Sequence, residues 1–220
     1  MSLRVWLPLI SDISDQGLDD LPAPSLNGLS VQSTGGKLGG CYSGYALYHL
    51  SSDILNNVWS VATWVKSSSW LSSNDIIACK NSSESTSCQF YFSIINGASL
   101  NIGVNGSSSI GSYAYTFAND TWYHVAATYD GSNCVLYING TAVKTIAVSA
   151  SPISNLLNIG VGCRSTNTAG TTSTGYGSKY FNDFRVYDHA LSALEVKLIS
   201  RGLVAHYTLN DSDITNLPQA

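Results

Sequence analysis

Charge is scarce in this chain. Of 220 residues, 10 are Lys or Arg and 14 are Asp or Glu, so 11% are charged, against roughly 25% in an ordinary soluble domain. The net charge of −4 and the lack of a basic stripe exclude nucleic acid as a main partner, because clustered Lys and Arg are what hold phosphates. An anionic membrane surface is excluded on the same ground. Glutamate is scarcer still, with Glu84 and Glu195 alone. No window approaches the ~18 unbroken apolar residues of a membrane span, so no membrane insertion is expected. The five cysteines (Cys41, Cys79, Cys88, Cys134 and Cys163) are odd in number and widely spaced, with no C-x-x-C, which argues against zinc. Helical periodicity is nearly absent before residue 190.

Serine, threonine, glycine and asparagine fill the places where charges usually sit. The apolar fraction of 44% supplies a core and rules out a disordered chain. Alternation with a period of two dominates: Leu3, Val5, Leu7 and Leu9 share one face. So do Phe90, Phe92 and Ile94, then Leu100, Ile102 and Val104, then Cys134, Leu136 and Ile138. Such runs read as strands with one face buried. The cysteines sit mostly in these runs, where a free thiol behaves as a small hydrophobe. Reduced thiols indicate assembly in a cytoplasm, and a Cys79–Cys88 bridge across the intervening loop is the alternative.

Turn chemistry links the runs. Asn96-Gly97 joins 88–95 to 98–104, Asn105-Gly106 follows, Asp130-Gly131 joins 122–129 to 133–138, and Asn139-Gly140 leads into 141–148. These pairs supply the positive φ of tight hairpins. About a dozen short strands at this spacing predict an all-β, two-sheet antiparallel jelly-roll sandwich. One short C-terminal helix is marked by the capping box Ser192-Ala193-Leu194-Glu195, the staple pair Leu191 and Val196, and the stop Gly202. Its Leu194 and Leu198 side is expected to pack on one end of the sandwich. The opening segment, broken by Pro8, reads as a first strand rather than a signal peptide. Residues 1–201 form one domain on this reading. Within 202–220, the run Leu203 to Asp211 echoes Leu3 to Asp12, as the start of a second repeat or as a C-terminal tail.

Three segments carry a resemblance. Thr121-Trp122-Tyr123-His124-Val125-Ala126-Ala127-Thr128-Tyr129-Asp130-Gly131 with Val135-Leu136-Tyr137-Ile138-Asn139-Gly140 resembles the core signature of concanavalin A-like, laminin G-like domains. Phe181 to Ser192 is similar to that family's closing strand and turn, and Trp59 to Lys66 to an earlier strand. The resemblance implies the fold and leaves function open, since this fold serves lectins, glycosidases, adhesins and spacers. The "VWLPL" start, the Asp15–Leu18 "DQGL" and the run "RGLVAHYTLND" resemble tail-associated proteins of bacteriophages. That likeness implies a virion protein made in the host cytoplasm, with other virion proteins as partners. An extracellular or cell-surface place is the alternative.

Several chemistries fail on the residues. Glycoside hydrolysis needs two carboxylates about 5–5.5 Å apart if retaining and wider if inverting. Glu84 lies in a serine-rich loop and Glu195 caps the helix, so no enzyme is expected. His49, His124, His189 and His206 come without a G-x-S-x-G elbow. His124 reads as a hydrogen-bonded core or sheet histidine and His189 as a turn residue with a backbone bond. The loop Ser11–Asp20 concentrates carboxylates, and Asp12, Asp15 and Asp19 are candidate ligands for calcium, which takes six to eight hard oxygens. Ordinary turn formation is the competing explanation.

Binding of a glycan or host cell-surface polysaccharide is the reading that remains, with an unliganded structural spacer as the alternative. With 13 Tyr and 5 Trp against few charges, the chain suits neutral polar ligands that stack on rings. Trp70, set among serines, is either an exposed loop aromatic or a plug beneath its loop. Tyr113 and Tyr115 alternate on one strand. Arg164 and Tyr176 belong to the polar, Gly/Thr-rich segment 164–178, which has the composition of a binding loop.

Overall fold

The computed structural model describes residues 2–7, 25–48, 53, 55, 57–70, 74–80, 88–107, 109–151, 153, 158–165, 173–175 and 179–202. The calcium candidates Asp12, Asp15 and Asp19, together with Tyr176, Glu84, His49, His206 and the 203–220 segment, lie outside them.

The alternating runs form fifteen strands among the described residues. The front layer is β11 (Thr141–Ala147), β10 (Asn133–Ile138), β9 (Tyr123–Tyr129), β4 (Trp59–Ser67) and β15 (Lys179–Tyr187), with β1 (Leu3–Leu7) on β15. The back layer is β3 (Gly39–Tyr48), β12 (Ile159–Val161), β5 (Asn74–Lys80), β6 (Phe90–Ile95), β7 (Ser99–Val104) and β8 (Gly111–Ala114). β2 (Ser25–Gly36) pairs with β3, and β13 (Cys163–Ser165) with β14 (Ser173–Gly175) forms a separate hairpin. All these pairings are antiparallel.

The layers are not separate sheets. β15 bends at Asp183, where φ is +53° and the register with β4 slips between Asn182 and Arg185. Its first half therefore bonds β3 through Tyr180 and Phe181, and its second half bonds β1. On the opposite side β8 nears β11: Lys144 Nζ donates to the Ser112 carbonyl at 2.7 Å, and Gly111 lies against Ile146. The sandwich is almost a closed barrel, which protects strand edges from stray pairing.

The turn residues act as their chemistry demands. Asn96 and Gly97 take φ of +55° and +62°, and Asn139 and Gly140 take +50° and +76°. Between the layers, Trp59, Val61, Val65, Phe90, Phe92, Ile102, Val125, Leu136 and Phe184 belong to one buried cluster. Each such side chain contributes roughly 1.5–3 kcal/mol by leaving water. All five cysteines are free and buried. Cys79 Sγ donates to the Cys163 carbonyl and Cys163 Sγ to that of Ala46. Burial raises both the Cys163 and the Cys134 thiol, Cys134 to about 12, so these are packing groups rather than nucleophiles.

The helix α1 (Ala193–Ile199) has its capping box: Ser192 Oγ accepts from Glu195 N while Glu195 accepts from Ser192 N. Its packing differs from the expectation. Leu194 is 64% exposed and Leu198 half-buried. Val196 and Ile199 are the buried side, set with Leu191 against Ala62, Ala126, Tyr137 and Tyr187. Small alanines at the centre of the front layer's outer face let the helix lie flat on that face rather than plug an end. Ser60 fastens the approach to the helix, donating to the His189 carbonyl and accepting from Leu191 N.

Candidate functional site

The β6–β7 turn and the coil after β8 build one end of the sandwich. Gly97 has no room for a side chain, since a Cβ there would lie 2.8 Å from Trp70 Cβ. That close approach seats Trp70 against the turn. Its ring lies 5.6 Å from Phe117, which is 5.0 Å from Tyr123, and Tyr115 lies 4.9 Å from Phe117 and 5.8 Å from Tyr123. Tyr113, paired with Leu100 across β8 and β7 and two residues before Tyr115, packs on the same core as Trp70 and Tyr115. Backbone groups hold the assembly: Trp70 Nε1 donates to the Ala118 carbonyl at 3.2 Å, and Tyr123 OH accepts from Ala118 N at 2.9 Å.

Phe117 and Tyr123 are buried, while Trp70, Tyr113 and Tyr115 are half-buried. The edge-on geometry is the favoured one for aromatic pairs, worth ~0.5–1.5 kcal/mol per pair beyond burial. Burial, aided by Tyr123 and Tyr113, raises the Tyr115 phenol above its ordinary value, so it stays a neutral hydroxyl. Among the described residues, neither the Tyr113 nor the Tyr115 hydroxyl has a hydrogen-bond partner. Beneath the same end, Lys179 and Asp75 form a buried cross-layer ion pair at 2.7 Å. Desolvation pulls Lys179 below the ordinary lysine range, with Asp75 opposing.

The structure thus brings together three residues singled out from the sequence, Trp70, Tyr113 and Tyr115. For Trp70 both earlier readings hold part of the truth, since one side packs on Phe117 and the side chain remains half-exposed. Arg164 is elsewhere, on the β13–β14 hairpin that packs on β3, β5 and β12. Phe117 and Tyr123 were missed as site residues. Tyr123 was legible as the inward partner in the Trp122-Tyr123-His124 alternation, whereas Phe117 lies in a coil without periodicity.

His124 departs from expectation in its ring. His124 is fully buried on the outer side of β9, 5.4 Å from the Trp64 ring, and neither ring nitrogen has a hydrogen-bond partner among the described residues. Its sheet role is carried by backbone bonds with Asn139. His189 makes the expected backbone bond, its carbonyl accepting from Ser60 Oγ, and its Nδ1 also meets the Asp188 carboxylate at 3.2 Å, which in turn accepts from Ser2 N. Among the described residues no group of three His, Cys, Asp or Glu could hold a metal ion.

Residues 39–197 match the family model described as the concanavalin A-like lectin/glucanases superfamily. The chain belongs to this superfamily. A comparison with curated proteins finds no match. Among solved structures, the superfamily fold found here is similar to the binding domain of Paraclostridial Mosquitocidal Protein 1, at TM-score 0.65 and 13% identity over 91% of this chain and 52% of that one. It is also similar to the botulinum neurotoxin serotype G binding domain, at TM-score 0.66 and 16% identity over 90% and 50%. A third is botulinum neurotoxin type C, whose cell entry is described as dependent on two ganglioside molecules, at TM-score 0.61 and 16% identity over 94% and 52%. At these identities the likeness establishes the lectin-like fold, and the chain spans about half the length of each toxin domain.

Proposed function

We propose that this chain is a non-catalytic carbohydrate-binding module whose ligand seats on the aromatic end formed by Trp70, Tyr113 and Tyr115. The observation that carries the reading is the gathering of three half-exposed rings with two unengaged phenol hydroxyls over a packed Phe117–Tyr123 base. A ring face accepts the apolar C–H side of a sugar, and a free phenol bonds its hydroxyls. Neighbouring toxin domains named for receptor and ganglioside binding lend the reading support by analogy of fold.

Absence of catalysis is supported by how the acids are used. Among the described residues, Asp75 pairs with Lys179, Asp183 with Arg185, and Glu195 closes the helix cap, whereas hydrolysis needs two uncommitted carboxylates facing one bond. The phage-tail setting rests on the sequence resemblance in the "VWLPL", "DQGL" and "RGLVAHYTLND" segments, and five free thiols suit a cytoplasmically assembled particle. Finding the chain by mass spectrometry in purified phage particles tests that setting, and its consistent absence from them overturns it. A glycan array probed with wild-type protein and Trp70→Ala tests the binding reading. Selective retention of a neutral glycan, lost in the variant, is expected. Equal binding by the variant removes this site, and no binding to any glycan with stable self-assembly by light scattering favours a structural spacer.

A further inference from the structure

We propose a second binding site, on the outer face of the front layer, for a carboxylate-bearing acidic polysaccharide. Its centre is Lys66, between Trp122 and Tyr180, with Lys37 beside it. Strand register makes the row: Tyr180 pairs with Lys66 across β15 and β4, and Trp64 pairs with His124 across β4 and β9, so Trp122 comes level with Lys66. Lys66 Nζ lies 4.8 Å from the centre of the Tyr180 ring and 5.3 Å from that of Trp122. Two residue pairs along on the same face, Lys37 Nζ from the β2–β3 turn lies 4.9 Å over Trp64.

Three features set this row apart from ordinary surface lysines. First, the rings hold the ammonium in place. Trp122 is itself fixed, its Nε1 donating to the Gly35 carbonyl at 3.1 Å, and the β2–β3 turn is fastened by Leu38 N donating to Asn182 Oδ1 and Asn182 Nδ2 donating to the Gly40 carbonyl. A lysine already ordered by rings gives up less side-chain entropy when it binds an anion. Second, nothing neutralises it: among the described residues, neither Lys37 nor Lys66 has a carboxylate partner. Asp183, on the same face, is taken by Arg185 Nε and Trp6 Nε1, each at 2.8 Å. Third, cations are few in a chain of net charge −4. Lys80, Lys179 and Arg185 are committed to buried or partly buried ion pairs, and of the remaining cations Lys37 and Lys66 are the two set against aromatic rings among the described residues.

The surroundings favour a sugar polymer. Trp122, Tyr180 and Lys66 are half-buried, so ring edges are available. Next to Tyr180 in register stands Ser43, whose hydroxyl lies 2.7 Å from that of Ser30. Rings, hydroxyls and two cations match spaced carboxylates on a hydroxyl-rich chain. Nucleic acid presents a phosphate every ~3.4 Å per strand and calls for a longer basic track.

Calorimetric titration with polygalacturonate at low salt, beside its neutral methyl ester, tests the site. Wild-type protein is expected to bind the acid form and not the ester, more weakly as salt rises. Lys66→Met, which keeps the aliphatic stem on the rings, is expected to weaken binding about tenfold and Lys37→Met several-fold. Both should keep the wild-type melting temperature. Trp70→Ala should leave this binding unchanged, which separates it from the neutral-glycan site on the aromatic end. No binding by wild type, equal binding of the ester, or unchanged affinity in both lysine variants overturns the proposal. Tighter, lysine-dependent binding to phosphatidylserine vesicles or single-stranded DNA overturns the polysaccharide assignment. Should Lys66→Met fail to fold, the exposed Lys37→Met carries the test.

Discussion

Through His124, acid destabilises the fold well before it reaches the carboxylates. Burial, helped by Arg185, lowers the His124 pKa to about 3 from 6.5. The folded protein therefore keeps a neutral ring, while the unfolded chain takes up a proton once pH drops below about 6.5. Between those values the unfolded state binds more protons, so stability falls as pH falls through 6.5 and the loss is complete near 3. At about 1.36 kcal/mol per unit, the whole gap corresponds to about 5 kcal/mol, and the part above pH 4.5 to roughly half of that. The charged group acting on the ring is Arg185 of β15, itself paired with Asp183.

The comparison protein is His124→Leu, which removes the titration and two ring nitrogens that lack partners. Urea unfolding, followed by tryptophan fluorescence at about pH 7 and about pH 4.5, gives the stability of each. Wild type should lose about 2–3 kcal/mol more than the variant over that interval. Asp130, whose carboxyl the Asn133 amide holds below 3.8, contributes only at lower pH and in both proteins alike. Equal losses in the two would refute the claim that His124 is folded neutral and without a proton acceptor.

Three further substitutions probe the packing. Asp183→Asn keeps a residue that tolerates positive φ but leaves the Arg185 guanidinium buried without its counter-charge, and should cost about 3–5 kcal/mol in urea unfolding. Gly140→Ala drives a methyl into Ser200 and Lys197 of the helix at φ +76°, so the melting temperature should fall by the equivalent of at least ~1 kcal/mol. Ser60→Ala strips the Leu191 amide of its acceptor and should cost ~1–3 kcal/mol, with amide exchange in α1 accelerating more than in β6.

Local chemistry made much of the fold legible. The Asn96-Gly97 and Asn139-Gly140 turns force their hairpins, and Ser192 with Glu195 marks the helix start unaided by tertiary structure. The helix face was not legible, because Leu194 and Val196 differ little in hydrophobicity. What decides between them is Ala62 and Ala126, distant in sequence, which make the flat bed for Val196 and Ile199. The aromatic end was half visible: Tyr113 and Tyr115 alternate and Trp70 stands out among serines. Their common base on Phe117 depends on the Trp70–Gly97 approach, which no spacing reveals. Lys66 lay in a readable alternation with Trp64, but its place between Trp122 and Tyr180 needs the order β9-β4-β15.

The central claim is that a neutral sugar seats on the aromatic end through the free phenols. Isothermal titration of the strongest array-selected glycan into wild-type protein and into Tyr113→Phe/Tyr115→Phe tests it directly, since the change removes two hydroxyls and leaves every ring in place. Each lost bond should weaken affinity about fivefold, so the pair should weaken it about twenty-five-fold, at an unchanged melting temperature. Equal affinity in the two proteins would contradict the account.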